Sequence, residues 1–155
     1  MNLVDASQGI ELRSAKEVFS ALAGAWELSR TVGEWNFRGN AIFRAQRPNE
    51  LRYEENGILA KPDNADIQAS RRYIYRYEAD RIVVYFDERP TRVFEVLDPK
   101  RAPNGTWEAQ AEHACPPDHY ASRYAFGIGT LLIAHVVRGP RKDYEMVSNY
   151  RLVSR

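Results

Sequence analysis

From Leu28 to Val153 the chain repeats short segments in which aromatic or branched residues alternate with polar ones. A period of two belongs to strands with one wet face. It recurs at roughly 25–33, 37–46, 50–59, 68–78, 81–87, 91–97, 106–114, 118–126, 130–138 and 144–153, about ten strands. Turn material separates them: Gly33-Glu34, Arg47-Pro48-Asn49, Lys61-Pro62-Asp63-Asn64, Ala79-Asp80, Glu88-Arg89-Pro90, the run from Pro99 to Gly105, Pro116-Pro117 and Gly139-Pro140. Residues 14–23 alone keep helical spacing, with Ser14 and Glu17 as a capping box, Val18, Phe19 and Leu22 as the apolar stripe and Gly24 as the stop.

So many short strands in one flat sheet would leave edges that invite aggregation, and closure removes them. Even spacing and short turns therefore predict an all-β fold, a single antiparallel up-and-down barrel of about ten strands with one short N-terminal helix. A two-sheet sandwich is the other arrangement. Strand parity assigns the inner faces to Trp26, Leu28 and Arg30; Phe37, Ala41 and Phe43; Leu51, Tyr53 and Glu55; Tyr73, Tyr75 and Tyr77; Ile82, Val84 and Phe86; Phe94 and Val96. The series continues with Trp107, Ala109, Ala111 and His113; Tyr120, Tyr124 and Phe126; Tyr144, Met146, Ser148 and Tyr150. This set is too polar for a simple oily core. It suits a barrel holding one small molecule.

Length and charge narrow the class. The 155 residues suit one domain, 1–155. With 22 Lys plus Arg against 21 Asp plus Glu, no long-range field draws the chain to nucleic acid or anionic lipid. Arginine far outnumbers lysine, which suits internal ion pairs and anionic ligands, and equally a GC-rich genome. The single cysteine, Cys115, has no intrachain partner, and the segment from Met1 to Gln8 has no basic region followed by an apolar one. The apolar run from Ile128 to Val137 falls far short of the ~20 residues a membrane helix needs. The expectation is a soluble cytoplasmic protein, monomer or homodimer, with a small-molecule ligand and neither nucleic acid nor membrane as partner.

Leu22-Ala23-Gly24-Ala25-Trp26-Glu27-Leu28 places a G-x-W where helix gives way to the first strand, and this resembles the opening signature of the calycins, the lipocalins and their relatives. The stretches Trp26-Glu-Leu-Ser-Arg30, Phe37-Arg-Gly39-Asn-Ala41-Ile-Phe43, Leu51-Arg-Tyr53-Glu-Glu55-Asn-Gly57 and Arg72-Tyr73 add a narrower likeness. So do His113-Ala-Cys115-Pro-Pro-Asp118-His-Tyr120 and Arg138-Gly-Pro-Arg-Lys-Asp-Tyr144. Together they resemble domain-of-unknown-function family 6314, a lipocalin-like group of small bacterial and fungal proteins, over about nine tenths of the chain. The resemblance implies a calycin-type barrel whose tryptophan plugs the closed end, with Arg151 stacked on Trp26, and it implies no activity. In that family a histidine often follows the phenylalanine at the position of Phe94. Here Glu95 stands there, which puts chemistry relying on that imidazole in doubt.

Candidate chemistry falls into four groups. His113 and Cys115 share a strand face at about 6.5 Å, so a thiolate–imidazole pair is conceivable, but no oxyanion-hole motif follows and a buried thiol beside a hydrogen-bonded histidine is the simpler state. His113, Cys115, Asp118 and His119 have metal-donor types at a spacing that matches no standard zinc pattern, so no metal is expected. His135, alone in an apolar run, could be an axial haem ligand; the simpler expectation is no cofactor. The sharper proposal joins Arg30, Glu55 and the inward tyrosines: either Arg30 and Glu55 pair with each other, or Arg30 anchors a ligand's acidic group. The hairpin Arg138 to Tyr144 reads as a solvated turn or, alternatively, a basic lip over the barrel mouth.

The expected function is binding of an amphipathic, acidic or aromatic ligand by Arg30, Tyr53, Glu55, Tyr75, His113, Tyr120, Tyr124, Tyr144 and Tyr150, with Trp107, Phe43, Phe86 and Phe126 as apolar contacts. The alternative is an isomerase, cyclase or hydrolase using the same cavity, with His113 as general base and Tyr120 or Asp118 as acid or orienting group. A third reading is a filled, structural barrel.

Overall fold

The computed structural model describes residues 11–155; the leaderless reading of Met1 to Gln8 lies outside them. One helix, α1 (Ala15–Ser20), is capped by Ser14, whose Oγ accepts from the Glu17 amide at 3.1 Å while the Glu17 carboxylate accepts from the Arg13 amide at 2.9 Å. Gly24 is not its stop, because the helix ends at the Ala21 cap. Gly24 instead opens the first strand at φ 135°, where a Cβ would come within 2.6 Å of the Ser154 carbonyl oxygen.

Eleven strands follow: β1 (Gly24–Val32), β2 (Trp35–Arg47), β3 (Glu50–Ala60), β4 (Ile67–Glu78), β5 (Arg81–Phe86), β6 (Arg92–Leu97), β7 (Lys100–Arg101), β8 (Trp107–Cys115), β9 (Asp118–Phe126), β10 (Thr130–Arg138) and β11 (Asp143–Ser154). The strand beyond the expected ten is the two-residue β7. All pairings are antiparallel, in one sheet of order β6-β5-β4-β3-β2-β1-β11-β10-β9-β8-β7. It is an up-and-down meander joined head to tail through β1 and β11, and it curls until β6 comes against β8 without a backbone ladder between them. Gly39 faces Gly57 across β2 and β3, where the two backbones leave no room for side chains. A Cβ at Gly39 would lie 2.1 Å from the Asn56 carbonyl oxygen, and one at Gly57 would lie 2.6 Å from the Phe37 ring.

Inward side chains form three tiers. At the end covered by α1, Val18, Phe19, Leu22, Trp26, Phe43, Leu51, Ile82, Leu97, Trp107, Phe126 and Leu131 make an apolar plug. The two indoles satisfy their N–H groups on carbonyls, Trp26 on Leu22 at 2.9 Å and Trp107 on Leu12 at 3.1 Å. Arg151, expected on Trp26, instead pairs with Glu27 on the outer surface. The middle tier is polar, and the third rims the opposite, open end.

Parity holds on nearly every strand and breaks on β6. There the register shifts between Val84 and Tyr85, pairing Val84 with Glu95 and Tyr85 with Val93, so Phe94 is an extra residue. Phe94 still faces the interior, but beyond it the faces exchange: Glu95 and Leu97 are buried, and Val96, expected inside, is 43 % exposed.

Candidate functional site

The middle tier holds two buried carboxylates in different company. Glu55 of β3 meets Arg30 of β1 in a two-pronged ion pair, Nη1 to Oε2 at 2.6 Å and Nη2 to Oε1 at 2.8 Å, while Arg30 Nε donates to Ser148 Oγ at 2.7 Å. Tyr53 donates to Glu55 at 2.5 Å and shares a hydroxyl–hydroxyl bond with Tyr150 at 2.8 Å. With side chains only 7 % and 2 % exposed, the pair is enclosed. Burial opposes both charges, but the hydrogen bonds and mutual attraction outweigh it, raising Arg30 and lowering Glu55. Burial likewise pushes Tyr150 up to about 12 and Tyr53, Tyr75 and Tyr124 well above the ordinary phenol value. These phenols stay protonated, and Tyr53 and Tyr124 donate to the two buried glutamates.

Of the two alternatives for Arg30, then, the structure realises the internal pair. Glu55 and Ser148 take bonds from all three guanidinium nitrogens of Arg30, which also borders the second recess described below. Tyr53 and Tyr150 are engaged with each other and with Glu55, Tyr75 packs against Phe43 and Tyr53, and the interior gap among these groups is only about 20 Å³. The inner tyrosines are walls and braces of the barrel.

Glu95, the second carboxylate, reaches in from β6. It accepts from Tyr124 at 2.5 Å and from Ser122, both on β9, and so fastens the seam where the sheet has no ladder. No arginine or lysine among the described residues pairs with it. Its one basic neighbour is His135 of β10, Nε2 to Oε2 at 3.8 Å. Burial works against its charge, yet His135, Ser122 and Tyr124 together hold its carboxyl below the usual carboxylate range. Both ring nitrogens of His135 are buried and lack hydrogen-bond partners, so the carbonyl partner expected for this histidine is not there.

The open end is a cleft of about 370 Å³ lined by Arg71, Tyr73, Phe86, Arg92, Phe94, His113, Cys115, Tyr120, His135, Val137, Tyr144 and Met146. A second recess of about 220 Å³ adjoins it through Arg71, Tyr144 and Met146. Tyr73 stacks on Phe94 (5.5 Å between centroids, 12°), Phe86 packs on Phe94 at 4.9 Å, and Arg92 caps Phe86 while pairing with Glu88. Arg71 projects into the mouth with Met146 Sδ at 3.9 Å and no carboxylate within ion-pair distance among the described residues.

Of the sequence candidates, His113, Tyr120 and Tyr144 line this cleft, whereas Tyr124 lies below it, bound to Glu95. His113 and Tyr120 stand 6.1 Å apart, centroid to centroid, without a hydrogen bond. Tyr120 accepts from Lys142 at 3.2 Å, and Asp118 pairs with Lys142 at 3.4 Å against Gly139, so neither approaches His113 as a partner acid. Cys115 is exposed, not buried as expected, because its strand ends in the Pro116–Pro117 turn at the rim. His119 turns outward toward Glu112. In the hairpin beyond β10, Arg138 and Asp143 form an exposed pair at 2.7 Å. Sequence reasoning missed Arg71, although it shares parity with Tyr73 and Tyr75, and it missed Glu95 because nothing in the residue pattern announces the bulge.

Fold and site together define a small up-and-down antiparallel barrel, plugged at one end and open at the other. The chain belongs to DUF6314, described as a family of unknown function, whose model matches residues 22–152. No curated protein matches. Among solved structures it is similar to an S-type phycobiliprotein lyase, CPES, from Guillardia theta, at 10 % identity and TM-score 0.57, over 94 % of this chain and 96 % of that one. It is also similar to mFAP1, a redesigned beta barrel bound to DFHBI, at 10 % identity and TM-score 0.45, over 90 % and 99 %. Such identities speak to the fold alone. No helix among the described residues is long and apolar enough to cross a membrane.

Proposed function

We propose that the protein binds a small, flat, anionic molecule in the open-end cleft, with Arg71 rather than Arg30 meeting the acidic group. The observation that carries this is an aromatic-walled space of about 370 Å³ with a guanidinium at its mouth that makes no ion pair among the described residues. A volume of that order takes one small ligand. Tyr73, Phe86, Phe94 and Tyr144 offer ring faces, and Met146 an adaptable apolar floor. Near-balanced net charge favours a local contact over long-range capture of a polyanion. The reading places the protein in the cytoplasm and requires no resident prosthetic group.

The test uses two dyes with one ring system, anionic 1-anilinonaphthalene-8-sulfonate and neutral N-phenyl-1-naphthylamine. Arg71→Gln is expected to weaken the sulfonate about five- to tenfold, a range reduced by water screening of an exposed guanidinium, and to leave the neutral dye nearly unchanged. Equal loss for both dyes, or no saturable binding of either, overturns the proposal. A Soret band in freshly purified protein would replace it with haem at His135.

A further inference from the structure

Arg71 divides the open end. Its strand, β4, and the Met146 strand, β11, face each other across the mouth, separated on one side by β3, β2 and β1 and on the other by β5, β6 and β8 to β10. The Arg71 guanidinium reaches over to Met146 Sδ at 3.9 Å, and a space lies on either side of that crossing. The cleft of about 370 Å³ is walled by the longer arc, through Phe86, Phe94, Tyr120 and Val137, and the recess of about 220 Å³ by the shorter one, through Val32, Trp35, Phe37 and Leu59. Arg71, Tyr144 and Met146 border both. A thioether is a weak acceptor, so little holds the crossing in place. Three arginines line the two spaces. Arg30 is paired with Glu55 at 2.6 Å and lies over the Phe37 ring, and Arg92 is paired with Glu88 at 2.9 Å, whereas Arg71 makes no ion pair among the described residues. The cation left for a ligand thus stands between two apolar lobes and not at the far end of either.

We infer that the cleft and the recess are one divided site for a two-lobed anion, a molecule whose acidic group sits between two apolar arms. This rests on the binding reading above and adds the shape of the ligand. The acid meets Arg71 at the crossing and takes the place of the thioether. One flat arm lies in the cleft against Tyr73, Phe86 and Phe94, and the other enters the recess against Trp35, Phe37 and Leu59. Two arms that seat together gain affinity over one alone, and the gain is lost when the shape of the molecule keeps an arm out. An acid at the tip of a straight rod cannot use both spaces, because holding Arg71 leaves its whole length on one side. The ligand needs nothing from the His135 nitrogens, which stay closed beneath the cleft.

Two isomeric acids are the probes: diphenylacetate, whose carboxylate is carried by the carbon between its rings, and biphenyl-4-ylacetate, whose carboxylate ends a rod. Formula and charge are the same, so calorimetric titration compares the arrangement alone. Diphenylacetate is expected to bind about three- to tenfold tighter, the worth of one further aromatic contact. Trp35→Ala strips a wall of the recess, and Ala69→Leu fills it from β4. Each should erase the difference by weakening diphenylacetate while leaving the rod unchanged. Arg71→Gln should weaken both acids alike. If the isomers bind equally, or if whichever recess variant folds keeps the difference, the two-lobed site falls, and a loss shared by both acids in Arg71→Gln leaves the binding reading standing. If Arg71→Gln changes neither acid, or neither acid binds, both fall.

Discussion

The Arg30–Glu55 pair allows a quantitative test of what holds the barrel's middle together. Arg30→Met deletes two bonds to Glu55 and one to Ser148, leaving a 2 % exposed carboxylate with Tyr53 as its one remaining donor among the described residues. An uncompensated charge of this kind typically costs about 3–5 kcal/mol, a large fraction of the stability of a domain this size. Replacing both partners, Arg30→Met with Glu55→Leu, removes the orphan charge. What remains is the unmatched Ser148 hydroxyl and one lost bond from Tyr53, each of about 1 kcal/mol, offset by apolar packing. The double variant should therefore be more stable than Arg30→Met alone by about 2–4 kcal/mol. Equilibrium urea unfolding followed by tryptophan fluorescence measures all four corners of the cycle. Anilinonaphthalene sulfonate affinity of the double variant should match the wild type. If Arg30→Met unfolds within about 1 kcal/mol of the wild type, or the double variant is no better than the single, the enclosed-pair reasoning is wrong.

Glu55 and Glu95 both have folded carboxyls held below the ordinary value of 4.5, so each stabilises the protein above that pH and loses its contribution as pH falls through its own lower value. The acid limb of a melting-temperature profile should thus steepen below about 4.5, and Glu95→Gln should flatten it; an unchanged limb would contradict the assignment. Gly57→Val should destabilise by at least about 1–3 kcal/mol, because even the first carbon would strike the Arg38 carbonyl oxygen at 2.4 Å; thermal unfolding within error of the wild type would mean that the close approach of β2 and β3 does not need the glycine. Cys115, exposed on the cleft lining, should react fully with Ellman's reagent in the native state, and capping it with a bulky maleimide should weaken anilinonaphthalene sulfonate binding. Slow labelling, or unaltered dye binding after complete labelling, would place the dye elsewhere.

The meander was readable because each strand buries one face, so a period of two runs through residues such as Trp26, Leu28 and Arg30 and the observed bounds fall close to the expected ones. What pattern alone cannot convey is pairing. Arg30 and Glu55 are both visibly inward, but only coordinates show that β1 and β3, with β2 between them, bring the two side chains into contact. β6 misled for a different reason. Its extra residue lies in a backbone irregularity, and one inserted position exchanges Val96 for Leu97 and turns Glu95 inward. Cys115 and Arg151 were misread at strand ends, where inner and outer faces lose their meaning.

The vessel has one loose stave. Phe94 and Glu95 come from a strand tied by main-chain bonds on one edge only, and carboxylate-to-hydroxyl links do the work of a hoop on the other. Amide hydrogens of β6 should therefore exchange sooner than those of β1 or β11, and a molecule wedged against Phe94 would tighten that stave, so occupancy would register as slower exchange along the joint itself.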